Sequence, residues 1–310
     1  MIALENVTKK YGRTVALNQV SFEATEGRIT GLLGRNGAGK TTALNLLTGY
    51  FPPDEGQVLV AGMDMMEEPR ECKRHIGYLP EQPPLYDEMT VTDYLKFVCD
   101  LREVLPRSRE KHVEEILDIC ALREVRGRVI GHLSKGYRQR MGIAQALCGN
   151  PEILILDEPT VGLDPKQVVE IRELIRALGE EHTILFSSHI LSEVQQLCDR
   201  AIILHEGRVI RAFDLREGTQ DGVIRLRISA LGKEKELTPA LRSIGCVQKI
   251  ETLPAPEAGV VSLRIIGRAR DDRGRLEDQL FHLLAAMDTP LREMTPEKDD
   301  LEAIFLDAIK

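Results

Sequence analysis

The sequence predicts an α/β fold, a mostly parallel sheet flanked by helices, followed by a small α+β domain. Three observations carry that expectation. Short apolar runs such as Ile29-Thr30-Gly31-Leu32-Leu33 and Ile153-Leu154-Ile155-Leu156-Asp157 have the length and β-branched content of strands buried on both faces. Stretches with helical spacing alternate with them, the order that builds a parallel sheet with helices on its faces. Beyond about residue 217 the order changes to strand, helix, two strands, helix, which is the order of a separate small domain.

Residues 2–12, 16–26 and 28–33 read as three strands punctuated by Tyr11-Gly12 and Glu26-Gly27. Val20, Phe22 and Ala24 alternate with Ser21 and Glu23, as on a sheet with one solvated face. Residues 43–48 read as a helix stopped by Gly49 at its C′ position. Pro52-Pro53-Asp54-Glu55-Gly56 is a turn, and 57–60 and 75–79 are further strands. From Thr90 to Gly149 helix formers dominate. Thr90-Val91-Thr92-Asp93 offers a cap for a helix to about Leu101, and Val113, Ile116, Leu117 and Cys120 form a core-facing stripe on the next. After the strand at 152–157 the sequence predicts a helix over 166–178 ended by Gly179, a strand over 183–187 and a helix over 192–198. His205-Glu206-Gly207 between two apolar runs signals a hairpin.

The first domain is expected to end near Glu217-Gly218-Thr219, giving domains 1–217 and 218–310, with a helical subdomain over about 83–150. The second reads as strand 223–228, helix 237–244, strands 247–252 and 259–266 around Pro254-Ala255-Pro256, and helix 275–287. Leu301, Ile304, Phe305, Ala308 and Ile309 share one face of a last amphipathic helix, read as a core stripe. No internal repeat and no chemical cluster stands out in this domain.

With 310 residues the chain can build one large core and one small one. Its net charge of −8 argues against nonspecific nucleic-acid binding, which shows a basic face. Six scattered cysteines without a C-x-x-C pair fit reduced thiols in a cytosolic protein better than a disulfide framework or a zinc site. The N-terminus lacks the basic and apolar regions of a signal peptide, and no window approaches the roughly 18 apolar residues of a membrane span. The expectation is a cytoplasmic chain that does not cross a membrane itself.

The chemistry starts at Gly34-Arg35-Asn36-Gly37-Ala38-Gly39-Lys40-Thr41-Thr42, set between a buried strand and a helix. That is the context of a P-loop. Its glycines let successive backbone N–H groups converge on a phosphate, and the helix N-terminus aims its dipole at the same point. Lys40 then supplies a point charge for the β- and γ-phosphates, and Thr41 a hydroxyl for Mg²⁺. A plain glycine turn before a helix would share the glycines but not the strand and the Lys-Thr pair. A second acid-tipped strand, Ile153-Leu154-Ile155-Leu156-Asp157-Glu158, has the Walker B form: Asp157 to hold Mg²⁺ and Glu158 to polarise the attacking water. An acid after an apolar strand is elsewhere often just a helix cap; following a P-loop, it reads as a metal ligand.

Leu133-Ser134-Lys135-Gly136-Tyr137-Arg138-Gln139-Arg140, just upstream, resembles the signature motif of ATP-binding-cassette (ABC) proteins. Further matches come in that family's order. Tyr11 stands where the family stacks an aromatic on adenine. Gln82 in Tyr78-Leu79-Pro80-Glu81-Gln82 resembles the Q-loop glutamine, Leu163-Asp164 the D-loop, and His189 after Ser187-Ser188 the switch histidine. The match covers residues 2 to about 215. Two departures stand out. Lys135 and Tyr137 replace the commoner glycine and glutamine, and Arg35 replaces a proline in the P-loop; Ser134, Gly136 and the P-loop glycines are kept.

The resemblance implies a RecA-like, mostly parallel core with an antiparallel β subdomain and a helical subdomain. It implies ATP with Mg²⁺ at Thr41, Asp157 and Gln82, and catalysis by Glu158, His189 and Gln82. Nucleotide contacts fall to Tyr11, to Arg35, Asn36, Gly37, Ala38, Gly39, Lys40, Thr41 and Thr42, and to Ser134, Gly136 and Asp164. Two copies would sandwich two ATP molecules head to tail, Lys40 of one facing Ser134 of the other, because the two halves of the site lie on different surfaces of one chain. The signature Leu-Ser-Lys-Gly with a short C-terminal domain resembles the ATPases of ABC-2-type exporters, among them gliding-motility, copper-related and multidrug ones. Those work on a separately encoded transmembrane permease at the cytoplasmic face of the inner membrane. Two other readings compete: a soluble ABC ATPase acting on nucleic acid or ribosomes, and a sensor that binds ATP without turnover. A single cassette, no long insertion between Gly34 and Leu133 and the acidic total weigh against the first, and Glu158 with His189 against the second.

Overall fold

Strands β1 (Ile2–Tyr11) and β2 (Thr14–Ala24) pair antiparallel and join β4 (Glu55–Val60) and the short β5 (Met63–Asp64) in a sheet of order β2-β1-β4-β5. In β2 Val20, Phe22 and Ala24 are buried while Ser21 and Glu23 are exposed, so the period-two pattern does select the buried face. The computed structural model describes residues 1–215, 223–255, 257, 259–271 and 274–297, and the chain divides into two compact units at Leu215/Arg216.

The second sheet of the first unit has the order β10-β9-β3-β8-β7-β6. Strands β3 (Ile29–Leu33), β6 (Ile76–Leu79), β7 (Ile153–Asp157), β8 (Thr183–Ser188) and β9 (Arg200–His205) run parallel, and β10 (Arg208–Asp214) is an antiparallel edge. Every residue of β3, β7 and β8 is buried, which is why β3 and β7 read as short apolar runs, while β8 also buries Ser187 and Ser188. The order puts β8 between β3 and β7, and a parallel sheet brings all three C-terminal ends to one edge. The hairpin between β9 and β10 turns through Glu206 and Gly207, both at positive φ, as a two-residue turn matching strand twist requires.

Helices α1 (Lys40–Leu47), α2 (Pro69–Arg74), α3 (Val91–Leu101), α4 (Pro106–Ile119), α5 (Lys135–Leu147), α6 (Pro165–Leu178) and α7 (Leu191–Leu197) complete this unit. Leu4, Leu44, Leu47, Val58, Ile155 and Leu185 belong to one core that both sheets share with α1. The Thr90 hydroxyl caps α3, accepting from the Asp93 N–H at 3.2 Å, and Val113, Ile116, Leu117 and Cys120 are buried along α4 and its end. Gly49 follows α1 at positive φ, whereas Gly179 ends α6 in the right-handed region. A Cβ at 179 would stand 2.7 Å from the end of the Ile29 side chain, which would have to shift to admit it.

The second unit is an antiparallel sheet of order β12-β13-β11-β16, built from β11 (Val223–Leu231), β12 (Val247–Leu253), β13 (Val260–Arg268) and β16 (Leu291–Glu297). Helices α8 (Glu234–Arg242) and α9 (Leu276–Ala286) pack on it through Leu237, Leu241, Leu276, Leu280 and Leu284, and a two-residue ribbon, β14 (Arg270–Asp271) with β15 (Gly274–Arg275), precedes α9. Strand β16 is absent from the sequence reading. It is an edge strand holding Pro296, and with few apolar residues it leaves little periodic signal. The boundary at 217–219, Pro256 and the apolar stripe at 301–309 lie outside the described residues.

Candidate nucleotide site

From the end of β3 the chain turns through Gly34 to Gly39 and enters α1 at Lys40. Gly37 and Gly39 hold φ of 82° and 105°, backbone that other residues avoid. The loop is also pressed against its neighbours, since a Cβ at Gly34 would lie 2.5 Å from the Leu204 carbonyl oxygen and one at Gly39 2.7 Å from that of Ala16. Helix α1 therefore begins three residues before the first apolar helical position read from the sequence, with Lys40 in its first turn.

The Lys40 ammonium donates to the Gly34 carbonyl at 2.8 Å and lies 3.2 Å from Glu158 Oε1, both side chains more than nine-tenths buried. The other carboxylate oxygen of Glu158 is 2.8 Å from His189 Nδ1. A carboxylate only accepts, so Nδ1 holds the proton in this pair. Glu158 itself sits at φ 48°, and its N–H donates to Ser187 Oγ at 3.0 Å. That hydroxyl in turn donates to Asp157 Oδ1 at 2.6 Å. Burial raises the Asp157 carboxyl pKa, against hydrogen bonds from Ser187 and Thr41 that lower it; the nearby charges of Glu158 and Glu81 raise it further.

A cavity of about 470 Å³ opens here, lined by Arg35, Asn36, Gly37, Gly39, Lys40, Thr41 and Thr42 of the loop, with Glu158 and His189. Ala38 is buried behind it. The donor set beside Thr41 is one hydroxyl and one carboxylate, and among the described residues no group of three or more His, Cys, Asp or Glu could hold a metal alone. That fits Mg²⁺, which takes one or two protein oxygens and completes its shell with phosphate oxygens and water.

Asp157, which is buried, and Tyr11 and Gln82 also lie outside this lining. The Tyr11 ring is half exposed and packs edge-on against Phe51 with centroids 5.8 Å apart; Thr14, Val15 and Ala16, a few residues on, line the cavity. Gln82 is exposed, and its neighbour Glu81 lines the cavity instead.

The signature residues stand elsewhere. Ser134 caps α5, accepting from the Tyr137 N–H at 3.4 Å, and Asp164 caps α6, accepting from the Gln167 N–H at 3.0 Å. The two caps meet through Gly136, where a Cβ would lie 2.7 Å from the Gln167 side chain, and the Lys135 ammonium rests on Gly162. Ser134, Gly136 and Asp164 line a second cavity of about 520 Å³ that shares no residue with the first.

The sequence reading passed over the work of Ser187, Ser188 and Glu193. Ser188 Oγ donates to Glu193 Oε2 at 2.8 Å and accepts from the Ile190 N–H at 3.0 Å, tying down the turn that presents His189. Two buried serines in an otherwise apolar strand were the available signal.

A family model described as ABC transporter matches residues 17–161. The bacitracin transport ATP-binding protein BcrA of Bacillus licheniformis is 39% identical over 212 residues, 68% of this chain and 68% of that protein. The lantibiotic transport ATP-binding protein SrtF of Streptococcus pyogenes is 38% identical over 224 residues, 71% of this chain and 95% of that one. Among solved structures, a dimeric ATP-binding cassette in a post-hydrolysis state bound to ADP and Pi superposes with a TM-score of 0.64 at 29% identity, covering 70% of this chain and 99% of that one.

Proposed function

Because this chain belongs to the ABC transporter family, we propose that it is the ATP-binding, ATP-hydrolysing subunit of a transporter, and that two copies close head to tail on two ATP molecules to drive a separately encoded membrane permease in export. The observation that carries the dimer is the division of the site. Lys40, Glu158 and His189 share one cavity, and Ser134, Gly136 and Asp164 line another, so one chain holds two halves that a second copy can complete.

In this reading the loop N–H groups and Lys40 hold the β- and γ-phosphates, with Tyr11 stacking on the adenine. Thr41 and Asp157, with Gln82, would hold Mg²⁺, whose charge when bound offsets that on the phosphate oxygens. Glu158 orients the water and accepts its proton, and His189, fixed by Glu158 through Nδ1, faces the γ-phosphate. The partner's cap at the signature serine, with Gly136 beside it, meets the same phosphate from the opposite side, and Asp164 joins the two copies. Closure is then a two-state change driven by contacts that exist only with ATP in place, relayed through Gln82 and the helical region to the permease.

The relatives' names as transport ATP-binding proteins support a permease on another chain and a place for this one at the cytoplasmic face; no helix among the described residues is long and apolar enough to cross a membrane. Export is supported by the Leu-Ser-Lys-Gly signature and the second unit, both like those of ABC-2-type exporters. The test is Glu158→Gln, which keeps the side chain's shape and removes its capacity to accept a proton. With ATP this variant should accumulate as a dimer and, from solubilised native membranes, bring down a multi-spanning protein in stoichiometric amount. Unchanged steady-state turnover, or ribosomes and nucleic acid in place of a permease, would overturn the reading.

A further inference from the structure

We propose that Ser187 is a positioning residue of the hydrolytic site, holding the metal-binding carboxylate and the catalytic glutamate in fixed relation through one hydroxyl. The inference rests on the nucleotide-site reading above and assigns a role to a residue that reading does not use.

The geometry is specific. Strands β7 and β8 pair parallel with Asp157 opposite Ser187, so the ladder itself sets the serine beside the acid. Side chains alternate along a strand, so Ser187 and Ser188 point to opposite faces, and each finds its own partner: Asp157 for the first, Glu193 for the second. Ser187 is fully buried, with its single proton given to Asp157 Oδ1 at 2.6 Å and a lone pair taken by the Glu158 N–H at 3.0 Å. Water has no access to substitute for either bond.

Both bonds have a job that packing alone would not do. Asp157 accepts from the Ser187 hydroxyl, and that bond fixes the rotation of the carboxylate, hence which oxygen is left to face a metal. Glu158 occupies left-handed backbone, a conformation that costs a non-glycine residue energy and persists only where its surroundings enforce it. The bond from its N–H to Ser187 is part of that enforcement, and through it the Glu158 carboxylate reaches both Lys40 and His189. A hydroxyl at 187 thus couples metal geometry to the orientation of the group that activates water.

The experiment uses the full chain and Mn²⁺ as the probe, read by electron paramagnetic resonance in the presence of ADP, for the natural protein, Ser187→Ala and Ser187→Cys. Loss of an outer-shell hydrogen bond of this kind should weaken Mn²⁺ binding to the ADP complex about 10–100-fold. ADP affinity in EDTA, which does not involve Asp157, should stay unchanged, and at saturating metal kcat should fall while KM for ATP holds. Ser187→Cys, a weaker donor of similar shape, should lose less in the same direction, and it keeps the test open if Ser187→Ala does not fold. Mn²⁺ affinity within about twofold of the natural protein in a folded variant would overturn the assignment. Failure of the natural protein to bind Mn²⁺ with ADP at all would overturn the nucleotide-site reading, and this assignment with it.

Discussion

Gly37→Ala and Gly39→Ala, made separately, test why the phosphate loop needs its glycines. Both positions have positive φ, so each alanine suffers backbone strain of about 1–2 kcal/mol. Only at Gly39 is there also a wall. A Cβ at Gly37 meets nothing within 4 Å, whereas at Gly39 it would stand 2.7 Å from the Ala16 carbonyl oxygen and 2.8 Å from Leu17 Cδ2. The leucine methyl can turn aside; the carbonyl belongs to β2, whose neighbour Leu17 is paired to β1, and cannot move alone. Overpacking of that kind adds about 1–3 kcal/mol. The restriction of the unfolded chain that alanine brings, about 0.4–1 kcal/mol in the stabilising direction, is common to both and cancels in the comparison. Urea unfolding of the two variants should therefore differ by about 1–3 kcal/mol, Gly39→Ala being the less stable, or roughly 2–12 °C in Tm for a unit of this size. Because Lys40 follows Gly39 directly and opens α1, nucleotide affinity should fall further in Gly39→Ala as well. Equal stability of the two variants, or a larger loss in Gly37→Ala, would refute the argument that close approach to β2 shapes this loop.

Two further outcomes follow from local geometry. Asp164→Ala removes the cap on α6, which should cost about 1 kcal/mol in urea unfolding, with ATP-driven dimerisation of the Glu158→Gln background reduced more than single-chain ADP affinity. Asp54, whose carboxylate accepts the Lys10 N–H at 2.6 Å and the Lys9 ammonium at 3.3 Å, has its pKa held below 3.8, chiefly by the backbone bond. Its folded pKa being the lower one, its stabilisation is complete above 3.8 and is lost as pH falls through the folded value. An NMR titration of this carboxyl should place its midpoint below 3.8, and Asp54→Asn should remove that part of the acid sensitivity.

What the amino-acid order settled without a structure was whatever depends on neighbours in the chain. The phosphate loop is contiguous: its glycines, its lysine and the helix that follows act on one point through backbone geometry, so nine consecutive residues announce it. The same holds for the cap at Thr90, for the turn at Glu206-Gly207, and for strands whose uniform apolarity reports burial on both faces. Tertiary structure decided whatever depends on strand order and register. Nothing in the sequence says that β8 lies between β3 and β7, yet that order alone sets Ser187 against Asp157 and His189 against Glu158 across some thirty residues. Close approach is equally invisible beforehand: Gly39 reads only as part of the phosphate loop, yet a Cβ there would stand 2.7 Å from the Ala16 carbonyl oxygen of β2. So is the lining of a cavity, where Glu81 stands and its neighbour Gln82 does not, since a residue's surroundings are chosen by the segments that fold against it. Local propensity is written in consecutive residues; a register or a contact surface belongs to two segments at once, and becomes definite only when they pack.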